Sequence, residues 1–345
     1  DYTTRVVTID EIFDDFSFGK YDPLAIKHFL YYTTNNWTTV PKYICIIGDA
    51  TYDYKNNLKK ENPPNYVPMY ETGTQLAGNA GMPPNFIDDG YYVNFGGGES
   101  MILGRITVRN TQEVRDFIDK LFMYETQDID GMWSKNIILA GDDEYSGTAG
   151  YGDGILHVSG CESIKTRVPD SLYDFTKIYM VSYPPFTYPT KKPNAQAAFV
   201  KALNDGCFAG LYLGHGNTHQ LADEALFDGT TDVPKVHNGR RYFFFYYGSC
   251  TVGRFDDSDY ECIAEEFVRG REGAIGTMGE TGPCGALSNI SIGQALFEYM
   301  TTTDLTMGEC FHLSEIGEYV LLGDPATRLR SVADYAPLDA LQDSL

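Results

Sequence analysis

Positive charge is scarce in this chain of 345 residues: 26 Lys and Arg stand against 48 Asp and Glu, a formal net charge of −22 with the six His neutral. Phosphate backbones are held by clustered Lys and Arg, so a nucleic-acid partner is excluded. The acid excess suits an extracytoplasmic protein, or one that draws in cationic substrates. Long apolar runs are also missing. The longest is Tyr242 to Tyr247, far short of the ~20 residues of a spanning helix, so no transmembrane segment is expected. The chain starts at Asp1 without a signal-like apolar stretch, which reads as a mature form or an excised domain. Cys-x-x-Cys is absent, and no Cys/His group has zinc-finger spacing. His215 and His219 are four apart, as in a zincin helix, but Gly216 stands in place of the glutamate, and Gly214 and Gly216 make a helix costly there. No metal site is read from them. Seven Cys is an odd number, so at least one thiol stays free if the rest pair.

What is present is core material. Hydrophobic residues make up 43% and aromatics 14%, too much for a disordered chain, and the length suggests two lobes. Five segments repeat one shape, a short apolar run followed by Gly and polar residues: Tyr43 to Asp49, Asn136 to Asp142, Phe208 to His215, Tyr242 to Cys250 and Gly273 to Gly279. Continuous rather than alternating runs read as strands buried on both faces. Between them lie helical patterns. One carries Val114, Phe117, Ile118 and Leu121 on one face and is opened by Asn110 with Glu113, a capping-box variant. Others open at Asp22-Pro23 with Ile26, Phe29 and Leu30 inward, run from Ala195 to Asn204, start near Ser258 with Ile263 and Phe267 inward, and start near Ser288 with Ile292, Leu296 and Tyr299 inward. The alternation implies an α/β fold with a largely parallel sheet. The pattern restarts near residue 130, giving an N-terminal lobe of 1–128, a second lobe of 129–330, and a tail or the start of a removed module at 331–345. The Pro-, Gly- and Asn-rich stretch 57–100 reads as long loops.

In such folds ligand chemistry collects beyond the carboxyl ends of strands. There the sequence puts Asp49, Asp142-Asp143-Glu144, His215 and Cys250. The strongest pair is Gly214-His215-Gly216 with Gly248-Ser249-Cys250. A nucleophilic Cys needs a nearby imidazole to hold the thiolate and to protonate a leaving amine. The Gly216 and Cys250 amides could donate to an oxyanion. The bland alternative is a buried Cys and a His satisfied in a turn.

Leu211-Tyr-Leu-Gly-His-Gly-Asn217, followed by Tyr247-Gly-Ser-Cys-Thr-Val-Gly-Arg-Phe-Asp256, resembles the active-site region of gingipain-family cysteine peptidases. Ile47 to Asn56, Leu103 to Arg109 with the helix to Glu125, Gly273 to Gly276 and Val320 to Ala326 are similar to other segments of that family in order and spacing, from about Val6 to Leu329. The resemblance implies two caspase-like lobes, each with a largely parallel sheet flanked by helices, and a cysteine endopeptidase with Cys250 as nucleophile, His215 as its histidine, and Gly216 and Cys250 as oxyanion donors. Ser249 stands where the gingipains carry a second Cys, and Asn217-Thr218 where they carry Ser-Glu. The family also includes the sortase of the type IX secretion system, a transpeptidase, which is an alternative; an inactive peptidase-like binding module is another.

One acid of Asp142-Asp143-Glu144, with Asp143 first, is expected to orient His215 as an acidic third member does in the family; a calcium ligand set or a solvated loop are the alternatives. Phe255-Asp256-Asp257-Ser258-Asp259 offers oxygen ligands for structural calcium, although Ser258 as a helix cap is the plainer reading. Asp223-Glu224 would line a pocket for a basic side chain or form a surface turn. For His28, His157, His237 and His312 the sequence alone suggests no role, and Cys45 and Cys207 read as core residues. The expected partner is a protein or peptide substrate, cut after a basic residue, with no organic cofactor required.

Overall fold

All five apolar runs become strands of one eight-stranded sheet. The computed structural model describes residues 2–60, 65–73, 85–97, 101–126, 131–143, 155–184, 191–314 and 318–330; Glu144 and the tail from 331 lie outside the described residues. The sheet strands are β1 (Tyr43–Ile47), β2 (Ile102–Ile106), β3 (Asn136–Gly141), β4 (Asp174–Tyr179), β5 (Ala209–Leu213), β6 (Phe243–Gly248), β7 (Ala274–Glu280) and β8 (Tyr319–Gly323). Their spatial order is β1-β2-β8-β7-β6-β5-β3-β4, and every pairing is parallel except β7 with β8. The sheet is therefore two parallel sets running in opposite directions, β1, β2 and β8 against the other five. The first set takes two strands from the start of the chain and its third, β8, from the far end.

Helices cover both faces. The described ones used below are α1 (Ile9–Ser17), α2 (Leu24–Asn36), α3 (Thr111–Thr126), α4 (Leu156–Lys165), α5 (Pro193–Asp205), α6 (Ile263–Arg269), α7 (Ala286–Thr302) and α8 (Met307–Ser314). Ile138 and Ala140 of β3 join Phe117 of α3, Phe199 of α5 and Phe267 of α6 on one face. Ile137 and Leu139 join Ile164 of α4, Leu296 of α7 and Phe311 of α8 on the other. The continuous apolar strands are thus buried on both sides, as parallel sheets require. Ile26 and Leu30 of α2 close over Ile46 and Leu103 of β1 and β2.

Several sequence expectations need correction. In α3 the buried positions are Phe117, Lys120 and Tyr124, whereas Ile118 is exposed. Lys120 takes the inward place because its ammonium donates to Val268 O at 2.5 Å and Gly270 O at 2.7 Å, carbonyls that end α6. Ser258 does not cap α6. The cap is Cys262, whose N–H donates to Glu265 Oε1 at 2.8 Å, while Ser258 Oγ lies 2.9 Å from the Tyr52 hydroxyl. Cys207 is in the core, but Cys45 is exposed, because β1 is an edge strand. Asp49 does follow its strand, yet β1 runs against β5 and β6, so Asp49 faces the opposite edge, near Arg269 at 3.9 Å.

The stretch 57–100 is more ordered than a run of loops where it is described. Its anchor is Arg105 of β2, fully buried, bonded twice to Asp89 at 2.6 and 2.9 Å and donating to Gly48 O, Val67 O and Pro68 O. A buried charge is tolerated only when paired and hydrogen-bonded in this way. Beside it, a Cβ on Gly104 would lie 2.6 Å from Gly323 O and 2.9 Å from Pro325, which is why a glycine precedes the arginine where β2 meets β8.

Candidate active site

Register brings the pieces together. Gly141 pairs with Leu213 and Leu213 with Gly248, so Asp142, His215 and Cys250 leave three adjacent parallel strands at one edge of the sheet. His215 stands two residues beyond Leu213, and Cys250 two beyond Gly248. The strand β7, next to β6, ends at Glu280 and delivers Cys284 to the same edge.

His215 is exposed, but its main chain is fixed. Its N–H donates to Asp142 Oδ2 at 2.9 Å, and its carbonyl accepts from the Tyr212 hydroxyl at 2.7 Å and from Ala222 N–H at 2.9 Å. Its ring meets that of His157 edge-on, with centroids 5.6 Å apart. Burial pushes Asp142 up to about 6, against the pull of the His215 and Asp143 N–H groups. Asp143, the sequence's first choice to orient His215, is ion-paired with Lys192, whose ammonium also donates to Met180 O at 2.9 Å.

Cys250 is half-buried where the chain turns sharply. Thr251 has φ 58°, a left-handed conformation costly for a β-branched residue. It is held because Thr251 N–H donates to Gly282 O at 3.0 Å and Gly253 N–H to Glu280 O at 2.8 Å. That stitching sets the exit of β7 against the nucleophile candidate. Cys284 N–H points at Cys250 Sγ from 3.4 Å, and the two sulfurs are 3.5 Å apart. The Cys250 thiol is pulled down to about 6, first by the Cys284 side chain and then, against the effect of burial, by Cys284 N–H and the charge of His215. Cys284 is pushed up by the same contact and by burial. Nothing in the sequence reading singled out Cys284; the strand-end rule applied to Ala274–Glu280 and the Gly282-Pro-Cys-Gly285 that follows would have found it.

Gly216 opposes Leu221 in an isolated antiparallel bridge whose hydrogen bonds are made by the flanking residues, Ala222 N–H to His215 O and Asn217 N–H to Gln220 O. The ladder therefore does not use the Gly216 N–H. A Cβ on Gly216 would collide with Ser249 Oγ and lie 3.1 Å from Gln220 O. Gly216→Ala is accordingly expected to lower kcat/KM by displacing this loop, and Ser249→Gly in the same chain to recover part of the loss. Steady-state kinetics on the single and double variants check it, and equal defects in both would place the damage elsewhere.

Two acid groups among the described residues could offer three carboxylate oxygens to one cation. Asp49, Glu261 and Glu265 already surround the guanidinium of Arg269. Asp142, Asp143 and Glu224 lie behind His215 with Lys192 against Asp143. Glu224 is buried, its carboxylate has no hydrogen-bond partner among the described residues, and burial with Asp143 nearby pushes it up to about 7. Its neighbour Asp223 is exposed in a turn. The acids after Cys250 are matched by cations of the chain: Arg254 reaches Asp256 at 3.2 Å and Asp257 at 3.9 Å, and Lys60 pairs with Asp259.

The family model of peptidase family C25 matches residues 1–330. The crystal structure of the Arg-specific cysteine proteinase gingipain R is similar over 92% of this chain and 70% of that one, with a TM-score of 0.70 at 16% identity. The complex of Porphyromonas gingivalis RgpB pro- and mature domains is similar over 92% of this chain and 72% of that one, with a TM-score of 0.66 at 16% identity. Likeness at that identity is likeness of fold. A comparison with curated proteins gives no match.

Proposed function

The chain belongs to peptidase family C25 and is a cysteine peptidase, and from that premise we propose that it is an endopeptidase working through Cys250 and His215. The observation that carries this reading is the register of β5 against β6, which sets His215 and Cys250 at matching positions beyond neighbouring strands, with the Cys250 thiol drawn down to about 6. The thiolate attacks the peptide carbonyl. The tetrahedral oxygen sits against Gly216 N–H and Cys250 N–H, donors that cost no reorganisation when charge develops. His215 protonates the leaving amine, and water releases the acyl group. Asp142 steadies His215 through its main chain. No organic cofactor takes part, and structural calcium would be held by carboxylates such as Asp142, Asp143 and Glu224.

The substrate is a protein or peptide, and an extracytoplasmic setting is consistent with the acidic charge of −22. The same charge favours cationic segments, so cleavage after Arg or Lys is expected. Digestion of a diverse peptide library, read by mass spectrometry, checks this, and salt should raise KM for basic substrates more than it lowers kcat. Cuts indifferent to basic residues would remove the preference and leave the Cys250–His215 assignment standing. An added amine captured in the products would mark the transpeptidase alternative.

A further inference from the structure

A second sulfur stands beside the nucleophile, and the hydrogen bonds behind it have a fixed direction. Tyr246 O–H donates to Asn289 O at 2.9 Å, since a carbonyl can only accept. The Tyr319 hydroxyl lies 2.6 Å from the Asn289 side-chain oxygen, a separation of O–H···O rather than N–H···O type. Oδ1 of Asn289 is thereby turned toward Tyr319, and Nδ2 toward Cys284 Sγ at 3.2 Å. All three residues are buried, with Tyr246 0%, Asn289 3% and Tyr319 7% exposed. The amide occupies one lone pair of Cys284 Sγ and so limits where the thiol hydrogen can point, and Cys250 Sγ lies within reach at 3.5 Å.

We propose that Cys284 is a positioning residue for the nucleophile: its thiol, oriented by the Tyr319–Asn289 relay, donates to Cys250 Sγ and holds that sulfur as the thiolate. The inference rests on the reading of Cys250 as nucleophile. A thiol is a weak donor to a neutral group, but a hydrogen bond to a charged acceptor is the stronger kind. The Cys284 N–H donates to the same sulfur at 3.4 Å, so thiol and amide grip it from one residue. The two sulfurs are consequently unequal: Cys250 is drawn down and Cys284 pushed up. The other titratable groups that bear on the pair are His215 beyond β5, Glu280 at the end of β7, Tyr246 on β6 and Tyr319 on β8.

The test is the pH dependence of Cys250 alkylation by iodoacetamide, mapped by mass spectrometry, together with kcat/KM, in the parent, Cys284→Ala, Cys284→Val and Cys284→Ser. Alanine and valine both remove the donor and differ in volume, so a folding defect in one leaves the other. In either, the inflection is expected to rise by about one unit. Alkylation and kcat/KM below it should fall about tenfold and recover at higher pH. Serine, whose hydroxyl donates, recovers most of the loss. A merely structural role would lower the rate at every pH. Parent-like inflections in the alanine and valine forms, or a serine form no better than alanine, overturn the proposal. Full peptidase activity in Cys250→Ala would instead remove the reading on which it rests.

Discussion

Cys250→Ala is expected to remove peptide hydrolysis entirely while leaving the fold and its thermal midpoint nearly unchanged. The loss is total because no other thiol takes the same place. Cys284 lies 3.5 Å away, but its own environment keeps it protonated. The cost to the fold is small because one half-buried sulfur is removed and the turn survives: Thr251 N–H still reaches Gly282 O, and Gly253 N–H still reaches Glu280 O. The Gly216 and Cys250 amides also remain, so substrate peptides should still bind. Steady-state kinetics, circular dichroism and calorimetric titration with a substrate peptide together check the three parts. Undiminished turnover would place the chemistry elsewhere in the chain. Turnover by the parent, with binding but no turnover in the variant, separates a peptidase stripped of its nucleophile from a binding module, whose parent form would not turn over either.

His215→Ala should cost about 10²–10⁴-fold in kcat, the usual range for general acid–base assistance. Its signature lies in the pH profile. The Cys250 thiol sits at about 6 in the parent, so the reactive thiolate is present above that pH and is lost as pH falls through it. Activity of the parent should therefore rise through about pH 6. His215 contributes to holding the thiol down, so in the variant the acid limb moves to higher pH in addition to the fall in rate. A variant whose acid limb and rate match the parent would show that another residue is the acid. His157, whose ring lies 5.6 Å from that of His215, is the first alternative to examine by the same substitution.

Sequence patterning reached the strand ends because continuous apolar runs are a local property. Phe208 to Leu213 and Tyr242 to Tyr247 could be buried only between two helical layers, and they are. The order of strands in the sheet is not local, and nothing in Tyr319–Gly323 itself says that it inserts between β2 and β7. Helix faces were readable only where apolar residues decide them. Lys120 displaces Ile118 from the inward face because three carbonyls at the end of α6 need a donor, a requirement visible only once α6 is in place. Asp142 accepts from the His215 N–H and Asp143 pairs with Lys192, contacts between strands and loops that no local pattern shows. Cys284 went unnoticed because it is 34 residues from Cys250 and has no histidine near it in sequence; it matters because the strand before it is the neighbour of β6.

The place of β8 also governs how the protein can be made. As the chain leaves the ribosome, the five strands from β3 to β7 are complete by Glu280 and can assemble in one parallel set. β1 and β2, synthesised first, have no partner in that set. They join it only through Tyr319–Gly323, which pairs with Gly276 to Glu280 on one side and with Arg105 on the other. Until then β2 and β7 each present an unpaired edge, the kind of surface on which chains aggregate. Closure must bring together segments more than two hundred residues apart, a non-local contact of the sort that slows folding. A nascent chain paused before Tyr319 would carry both Cys250 and His215 on a half-built sheet, so the last strand added acts as the keystone of the whole fold.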